Sequence, residues 1–186
     1  MPLSVPTTED QRKLHAEITK IANQRFLLAI FAVTTFGVVE GWILPKLPTK
    51  LGGGFVFANS IILCLLIFSL FMLNYSLAQM QRVFTTYLIV TDASKWEQDW
   101  KRFRGERPYW GYTRSFTLWV YVFLIIVSTG LPFIWPDIYG LQLRPIGGAI
   151  LLLVIGSILG LLVAVIGRHG SAREADALAS WHKLNR

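Results

Sequence analysis

The 186-residue chain has few of the residues that build catalytic and metal sites. It contains one cysteine, Cys64, so it can form neither an intramolecular disulfide nor a CxxC motif. Its three histidines, His15, His169 and His182, are not spaced as metal ligands, and neither an HExxH motif nor a GxxxxGK phosphate loop occurs. We therefore expect a non-enzymatic protein with no cofactor and no metal site.

Charge is missing from four long apolar runs, residues 26–44, 55–73, 115–135 and 146–166. Apart from Glu40 in the first, they contain no Asp, Glu, Lys, Arg or His. Paired carboxylates for acid–base chemistry are therefore absent from them. Each run is close to the ~20 residues with which a helix crosses a hydrocarbon core of ~30 Å. Because backbone groups in lipid must be satisfied within the segment, we predict four transmembrane helices.

Lysine and arginine are scarce in two of the three connections between these runs. Fifteen of the 18 basic residues lie in the segments 1–25, 76–114 and 168–186, and three lie elsewhere. Basic residues mark the cytoplasmic side of short loops, so we expect these three segments, and both termini, in the cytoplasm. Residues 1–24 have no apolar stretch ahead of their charges, so we expect no cleaved signal there. The expected location is the inner membrane of a bacterium.

Proline and glycine are concentrated in the two short outer connections, which is typical of tight turns between antiparallel helices. We therefore predict two helical hairpins. The fold class expected is an all-α integral membrane protein, with residues 1–186 forming one four-span domain. Amphipathic cytoplasmic helices are expected at the N-terminus, in the central loop and at the C-terminus.

The helices next to the first two spans are predicted to be continuous with them. Apolar residues at helical spacing indicate an N-terminal helix that runs into the first span, capped by Thr8 or Asp10. These apolar residues are Leu14, Ile18 and Ile21. The same spacing after the second span predicts that its helix extends to about Val90.

Small residues form a stripe along the fourth span, at intervals of seven, four and seven positions. They are Ala149, Gly156, Gly160 and Gly167. At ~100° per residue the four lie within about 40° of one another on the helix surface. Such a stripe lets two helices approach closely in lipid. It indicates either packing against the other spans of this chain or an interface between copies, and we expect a homo-oligomer.

Glu40 is the ionisable residue within the spans. An intramembrane carboxylate is a functional candidate, as an ion or proton site or as a polar lock between subunits. The simpler interpretation is that Glu40 lies near the interface and reaches water, or pairs with Lys46 or Arg144. Other polar side chains are candidates for hydrogen bonds between helices. These are Thr34, Thr35, Asn59, Ser60 and Asn74.

Aromatic and basic residues alternate in the central cytoplasmic segment. They include Trp96, Trp100, Lys101, Arg102, Arg104, Arg107 and Trp110. Such residues suit a helix lying on a leaflet with anionic headgroups. Aromatic residues and arginine are also concentrated in protein interfaces, so a platform for a cytosolic protein is the second interpretation. The expected partners do not include nucleic acid.

Two functions fit these patterns. The first is a non-enzymatic membrane subunit that forms oligomers, acts as an anchor or sensor, and presents the basic and aromatic surface to a soluble partner. The alternative is a pore-forming or membrane-depolarising effector, for example of a bacterial defence system. The first function rests on the contrast between short outer loops with few basic residues and a large inner portion that is rich in aromatic residues.

Overall fold

The computed structural model describes residues 7–43, 53–91, 112–134, 146–168 and 179–180. This part of the chain is helical and contains no strand. Its four long helices are α1, Thr8–Ile43; α2, Gly53–Val90; α3, Tyr112–Ile134; and α4, Ile146–Arg168. The prediction of an all-α fold is confirmed for the described residues.

Three of these helices, α1, α2 and α4, are long and apolar enough to cross a membrane. The described apolar part of α3, Thr117–Phe133, is shorter than the other three. The four-span arrangement and the hairpins therefore stay predictions. Helix α1 continues without a break from the charged N-terminal segment into the first predicted span, and α2 ends at Val90. Both predicted extensions are confirmed.

Helix α1 begins at a capping box formed by Thr7 and Asp10. The Asp10 amide donates to Thr7 Oγ1 at 3.2 Å, and the Thr7 amide donates to Asp10 Oδ2 at 3.2 Å. The two residues thereby satisfy each other's backbone N–H groups. The cap is therefore Thr7, one residue before the predicted Thr8. Asp10 takes part from the first turn, since only a residue outside the helix can lie in the capping position.

The chain divides into two compact units. Unit 1 consists of Met1–Leu27, Leu73–Phe116 and Ile166–Arg186. Unit 2 consists of Leu28–Met72 and Thr117–Val165. The limits of unit 2 lie within two residues of the ends of the predicted spans that face the basic segments. The contacts within the molecule therefore group the apolar runs in unit 2 and the basic segments in unit 1.

Unit 2 has an apolar core to which all four helices contribute. Val56, Phe57 and Leu152 are buried at its centre, and residues of every helix pack against them. The packed residues are Val39, Ile61, Leu131, Phe133 and Ala149. The Phe57 and Phe133 rings lie 6.1 Å apart, and the Phe71 and Tyr121 rings 5.6 Å apart in an edge-on arrangement. In unit 1, the buried apolar residues include Ile21, Ala78 and Leu88.

Candidate functional site: polar and small residues between the helices

A hydrogen-bonded junction joins α1 to α2 within unit 1. Arg25 Nε donates to Asn74 Oδ1 at 3.2 Å, and Arg25 Nη1 donates to Gln81 Oε1 at 2.7 Å. In return, Asn74 Nδ2 donates to the Arg25 carbonyl at 3.0 Å. Asn74 is 4% exposed, so these bonds satisfy a side-chain amide that is almost closed to water, while Arg25 and Gln81 are half-buried. The prediction that Asn74 bonds to another helix is confirmed.

This junction fixes the Arg25 guanidinium at the start of the first predicted span. The acceptors on α2 are both amide oxygens, which accept from the guanidinium and carry no charge of their own. From the sequence, Arg25 was only one of the basic residues of segment 1–25, and Gln81 was not predicted. Gln81 lies seven residues after Asn74, two turns along the same side of α2, and this spacing was the available signal.

Gly156, the centre of the predicted small stripe, is covered by α3 of the same chain. A Cβ atom at Gly156 would lie 2.7 Å from Thr129 Cγ2 and 3.0 Å from Thr129 Cβ, closer than real Cβ contacts. Only glycine lets the two helices approach this closely. Of the two interpretations of the stripe, internal packing therefore accounts for Gly156.

The other stripe residues are less tightly enclosed. Ala149 packs against the core of unit 2, and the nearest atom to a Cβ at Gly160 is Ile125 Cγ2, at 4.0 Å. Gly167 lies near the end of α4, and its surroundings lie outside the described side chains. The formation of a homo-oligomer by copies of this chain stays a prediction. Gly156 already lies against Thr129 of its own chain.

Glu40 lies inside unit 2. Its side chain is only 5% exposed, and it engages other groups of the protein. The interpretation that Glu40 simply reaches water does not fit this burial. A covered carboxylate in an apolar helix is costly unless it interacts with other polar or charged groups, so Glu40 remains the main candidate for a functional polar group in the predicted spans.

Cys64 and Thr129 join α2 to α3 near the middle of unit 2. Cys64 Sγ lies 3.6 Å from Thr129 Oγ1, and the Thr129 hydroxyl donates to the Ile125 carbonyl at 2.8 Å. Since the single hydroxyl proton of Thr129 is used in that bond, the Cys64 thiol is the donor to Thr129. Cys64 is a buried free thiol. Thr129 was not predicted from the sequence, because no spacing rule links it to Cys64.

The predicted basic and aromatic surface lies outside the described residues. This applies to all seven of its members, Trp96, Trp100, Lys101, Arg102, Arg104, Arg107 and Trp110. Two tryptophans elsewhere are described, and both are exposed: Trp42 by 58% in α1 and Trp119 by 63% in α3. Exposed tryptophan near the end of an apolar helix is typical of a membrane interface.

Neither protein-family models nor curated proteins nor solved structures match this chain. Among the described residues, no group of three or more His, Cys, Asp or Glu side chains could hold a metal ion. The candidate features are therefore the Arg25 junction, the contact between Gly156 and Thr129, and the buried Glu40. Two of these join helices, and the third is a buried charge.

Proposed function

We propose that this protein is a non-enzymatic membrane subunit that presents a basic and aromatic surface to a soluble cytosolic partner. In this proposal the chain crosses a bacterial inner membrane four times and keeps both termini in the cytoplasm. The surface is formed by the residues from Trp96 to Trp110, and anionic headgroups contact its arginines. The protein serves as an anchor or sensor and forms a homo-oligomer.

One observation carries the proposal: the three basic segments belong to a compact unit of their own. Unit 1 collects Met1–Leu27, Leu73–Phe116 and Ile166–Arg186, which contain the predicted cytoplasmic segments. Within it, the Arg25 junction and the buried Ile21 and Leu88 hold parts of α1 and α2 together. Binding residues are often carried by loops that a rigid scaffold positions, and unit 1 is the scaffold in this proposal.

The test compares proteins captured by wild-type chain and by a triple variant in which Trp96, Trp100 and Trp110 are replaced by Ala. Aromatic anchors contribute about 2 kcal/mol or more each to an interface, roughly 30-fold in affinity. We therefore expect quantitative mass spectrometry to show loss of the specific partner from native membranes, while the variant still inserts.

The matched control replaces Trp42 and Trp119, the exposed tryptophans of unit 2, with Ala. This double variant removes similar aromatic area from a different part of the chain, so partner capture should persist. Equal capture by wild type and by the triple variant would refute the platform. Loss of membrane insertion in the triple variant would instead assign these tryptophans to the bilayer.

The second candidate function is a pore-forming or depolarising effector, and the burial of Glu40 in unit 2 favours it. Ionisable residues within membrane helices commonly mark ion pathways. The test is ion flux through liposomes that contain the purified protein. We expect flux that changes with Glu40→Gln, and a protein that conducts no ions under any applied voltage or pH gradient is not an effector of this kind.

A further inference from the structure

One turn of α3 lacks a backbone hydrogen bond. Pro132 lies inside this helix and is fully buried. In a regular α-helix the amide at this position would donate to the carbonyl of Ser128, but proline has no N–H. The proline ring also presses against that carbonyl, so a proline within a helix bends or breaks it. The turn from Ser128 to Pro132 is therefore weaker than the regular turns before it.

The side chain of Ser128 does not make up for the missing bond. Ser128 is 0% exposed, and its hydroxyl has no hydrogen-bond partner among the described residues. A hydroxyl within a helix can donate to the carbonyl four residues earlier, as Thr129 does to Ile125 at 2.8 Å. A buried hydroxyl without a partner is unfavourable. An arrangement of α3 that brings Ser128 into contact with water would remove this cost.

The part of α3 before this turn is held firmly in unit 2. Leu124 and Ile125 are no more than 3% exposed. Thr129 Oγ1 lies 3.6 Å from the Cys64 thiol of α2. A Cβ atom at Gly156 of α4 would lie only 2.7 Å from Thr129 Cγ2. Contacts with two other helices therefore fix α3 as far as Thr129.

The part of α3 after this turn is less enclosed. Leu131 and Phe133 are half-buried and pack at the edge of the core of unit 2. The Phe133 ring lies 6.1 Å from the Phe57 ring at an angle of 45°. Contacts between two rings are favourable over a range of distances and angles, whereas Thr129 has no spare space at Gly156. The helix can therefore move after Thr129 more easily than before it.

We propose that α3 contains a hinge at the turn from Ser128 to Pro132. The end of the helix after this turn opens and closes, while Thr129 stays in place against Gly156. In the open form, water reaches the hydroxyl and the carbonyl of Ser128, and such water satisfies backbone groups that proline frees in membrane helices. The hinge lies within unit 2 and needs no cytosolic partner, so its test is independent of the proposed platform.

The experiment is amide hydrogen exchange of the purified full chain in detergent, followed by NMR at single residues. The reporter is Phe133, whose amide donates across the hinge to the Thr129 carbonyl in a regular helix. The reference is Leu124, in the part of α3 that is held firmly. Local opening exposes little surface, so exchange at Phe133 should be at least about tenfold faster and nearly independent of low denaturant concentrations. An equal rate with an equal denaturant dependence at both amides would overturn the proposal.

Two variants distinguish a hinge from simple fraying of the helix end. Ser128→Ala removes the buried hydroxyl that lacks a partner, which stabilises the closed form, so exchange at Phe133 should slow by about tenfold. Pro132→Ala restores the missing N–H and should act in the same direction. Fraying of the last residues depends on neither change. If Pro132→Ala does not fold, because the buried ring leaves a cavity, Ser128→Ala decides the matter alone.

The matched control is Ser69→Ala in α2. It also removes a serine hydroxyl from unit 2, but this hydroxyl is exposed and donates to the Leu65 carbonyl at 2.9 Å, so exchange at Phe133 should stay at the wild-type rate. Wild-type exchange at Phe133 in the Ser128→Ala variant would refute the hinge and assign the fast exchange to fraying. Equal slowing at Phe133 and Leu124 in that variant would also refute it, since the substitution would then stabilise the whole unit.

Discussion

Helices α1 and α4 each contain two glycines four residues apart, yet the two pairs have different surroundings. In α4, a Cβ at Gly156 would collide with the Thr129 side chain of α3. In α1, Cβ atoms at Gly37 and Gly41 would meet nothing within 4 Å. The same spacing, which permits close helix contact, is therefore used inside the chain in α4 and not in α1.

Helix α1 is held to the rest of the protein by side chains. Its buried residues in the described part are Ile21, Ala32 and Glu40, whereas most of its large apolar residues are exposed. The Arg25 junction bonds it to Asn74 and Gln81 of α2. The comparison shows two ways to attach a helix: close backbone contact in α4 and polar side chains in α1.

The largest effect is expected from Gly156→Leu. The new side chain has no space beside Thr129, so α3 and α4 must separate or their side chains must leave favourable rotamers. Overpacking of this kind costs roughly 1–3 kcal/mol, and occasionally more. Unfolding of the purified protein in a denaturing detergent series measures this loss.

The matched control for that variant is Gly37→Leu in α1. Since nothing lies within 4 Å of a Cβ there, the larger side chain should be accommodated. Leucine also has a better helix propensity than glycine by up to about 1 kcal/mol, so the control should be neutral or slightly stabilising. Equal destabilisation by the two variants would contradict the distinction between the glycine pairs.

A smaller effect is expected from Asn74→Ala, which removes two of the bonds that attach α1. The Arg25 carbonyl keeps the N–H of its own helix but loses the Asn74 amide, and Arg25 Nε loses the Asn74 oxygen. Because Arg25 is half-buried and keeps its bond to Gln81, we expect a loss of roughly 1 kcal/mol, the net contribution of a typical hydrogen bond. Asn59→Ala in the same helix is the control, because the half-buried Asn59 takes no part in the junction. The same unfolding series should show a loss for Asn74→Ala only.

The length of α1 and α2 could be predicted from sequence, because apolar residues at helical spacing continue past the predicted spans to Leu14 on one side and to Val90 on the other. The limits of unit 2 agree within two residues with the predicted limits of the apolar runs, while the crossing of a membrane by these runs stays a prediction. These features depend on the order of residues along one helix, which the sequence contains directly.

Contacts between helices could not be predicted in the same way. The spacing of Gly156 and Gly160 indicates a close approach but not which helix approaches, and Gly37 with Gly41 shows the same spacing without a neighbour. Likewise, a serine in an apolar run gives no sign that its hydroxyl lacks a partner, as at Ser128. Such features depend on the rotation of one helix against another, which is set by many weak contacts together.

The smallest effect is expected at the start of α1, at the box formed by Thr7 and Asp10. The hydroxyl of Thr7 donates to Asp10 Oδ2 at 2.6 Å, and this bond, the Thr7 amide and the charge of Lys13 lower the pKa of Asp10 below its ordinary value. A carboxylate with a lowered pKa stabilises the folded state at any pH above its unfolded pKa, about 3.9. That contribution is lost as the pH falls through the lower pKa of the folded state. NMR titration of the Asp10 carboxyl carbon should therefore give a midpoint below that of an unfolded peptide.

The variant Asp10→Asn should open only the first turn of α1, because the capping box is local and exposed. Hydrogen exchange of the first amides of the helix should be faster, while the unfolding of unit 2 is unchanged. Glu9→Gln removes the same charge one residue earlier, where the carboxylate pairs with Lys13 at 2.8 Å and takes no part in the box. If Glu9→Gln increases exchange as much as Asp10→Asn does, the charge in the first turn and not the hydrogen bonding of the box holds the start of α1. That result would mean that this end of the helix is stabilised by the interaction of negative charge with the helix dipole. Such charge is favourable wherever it lies in the first turn.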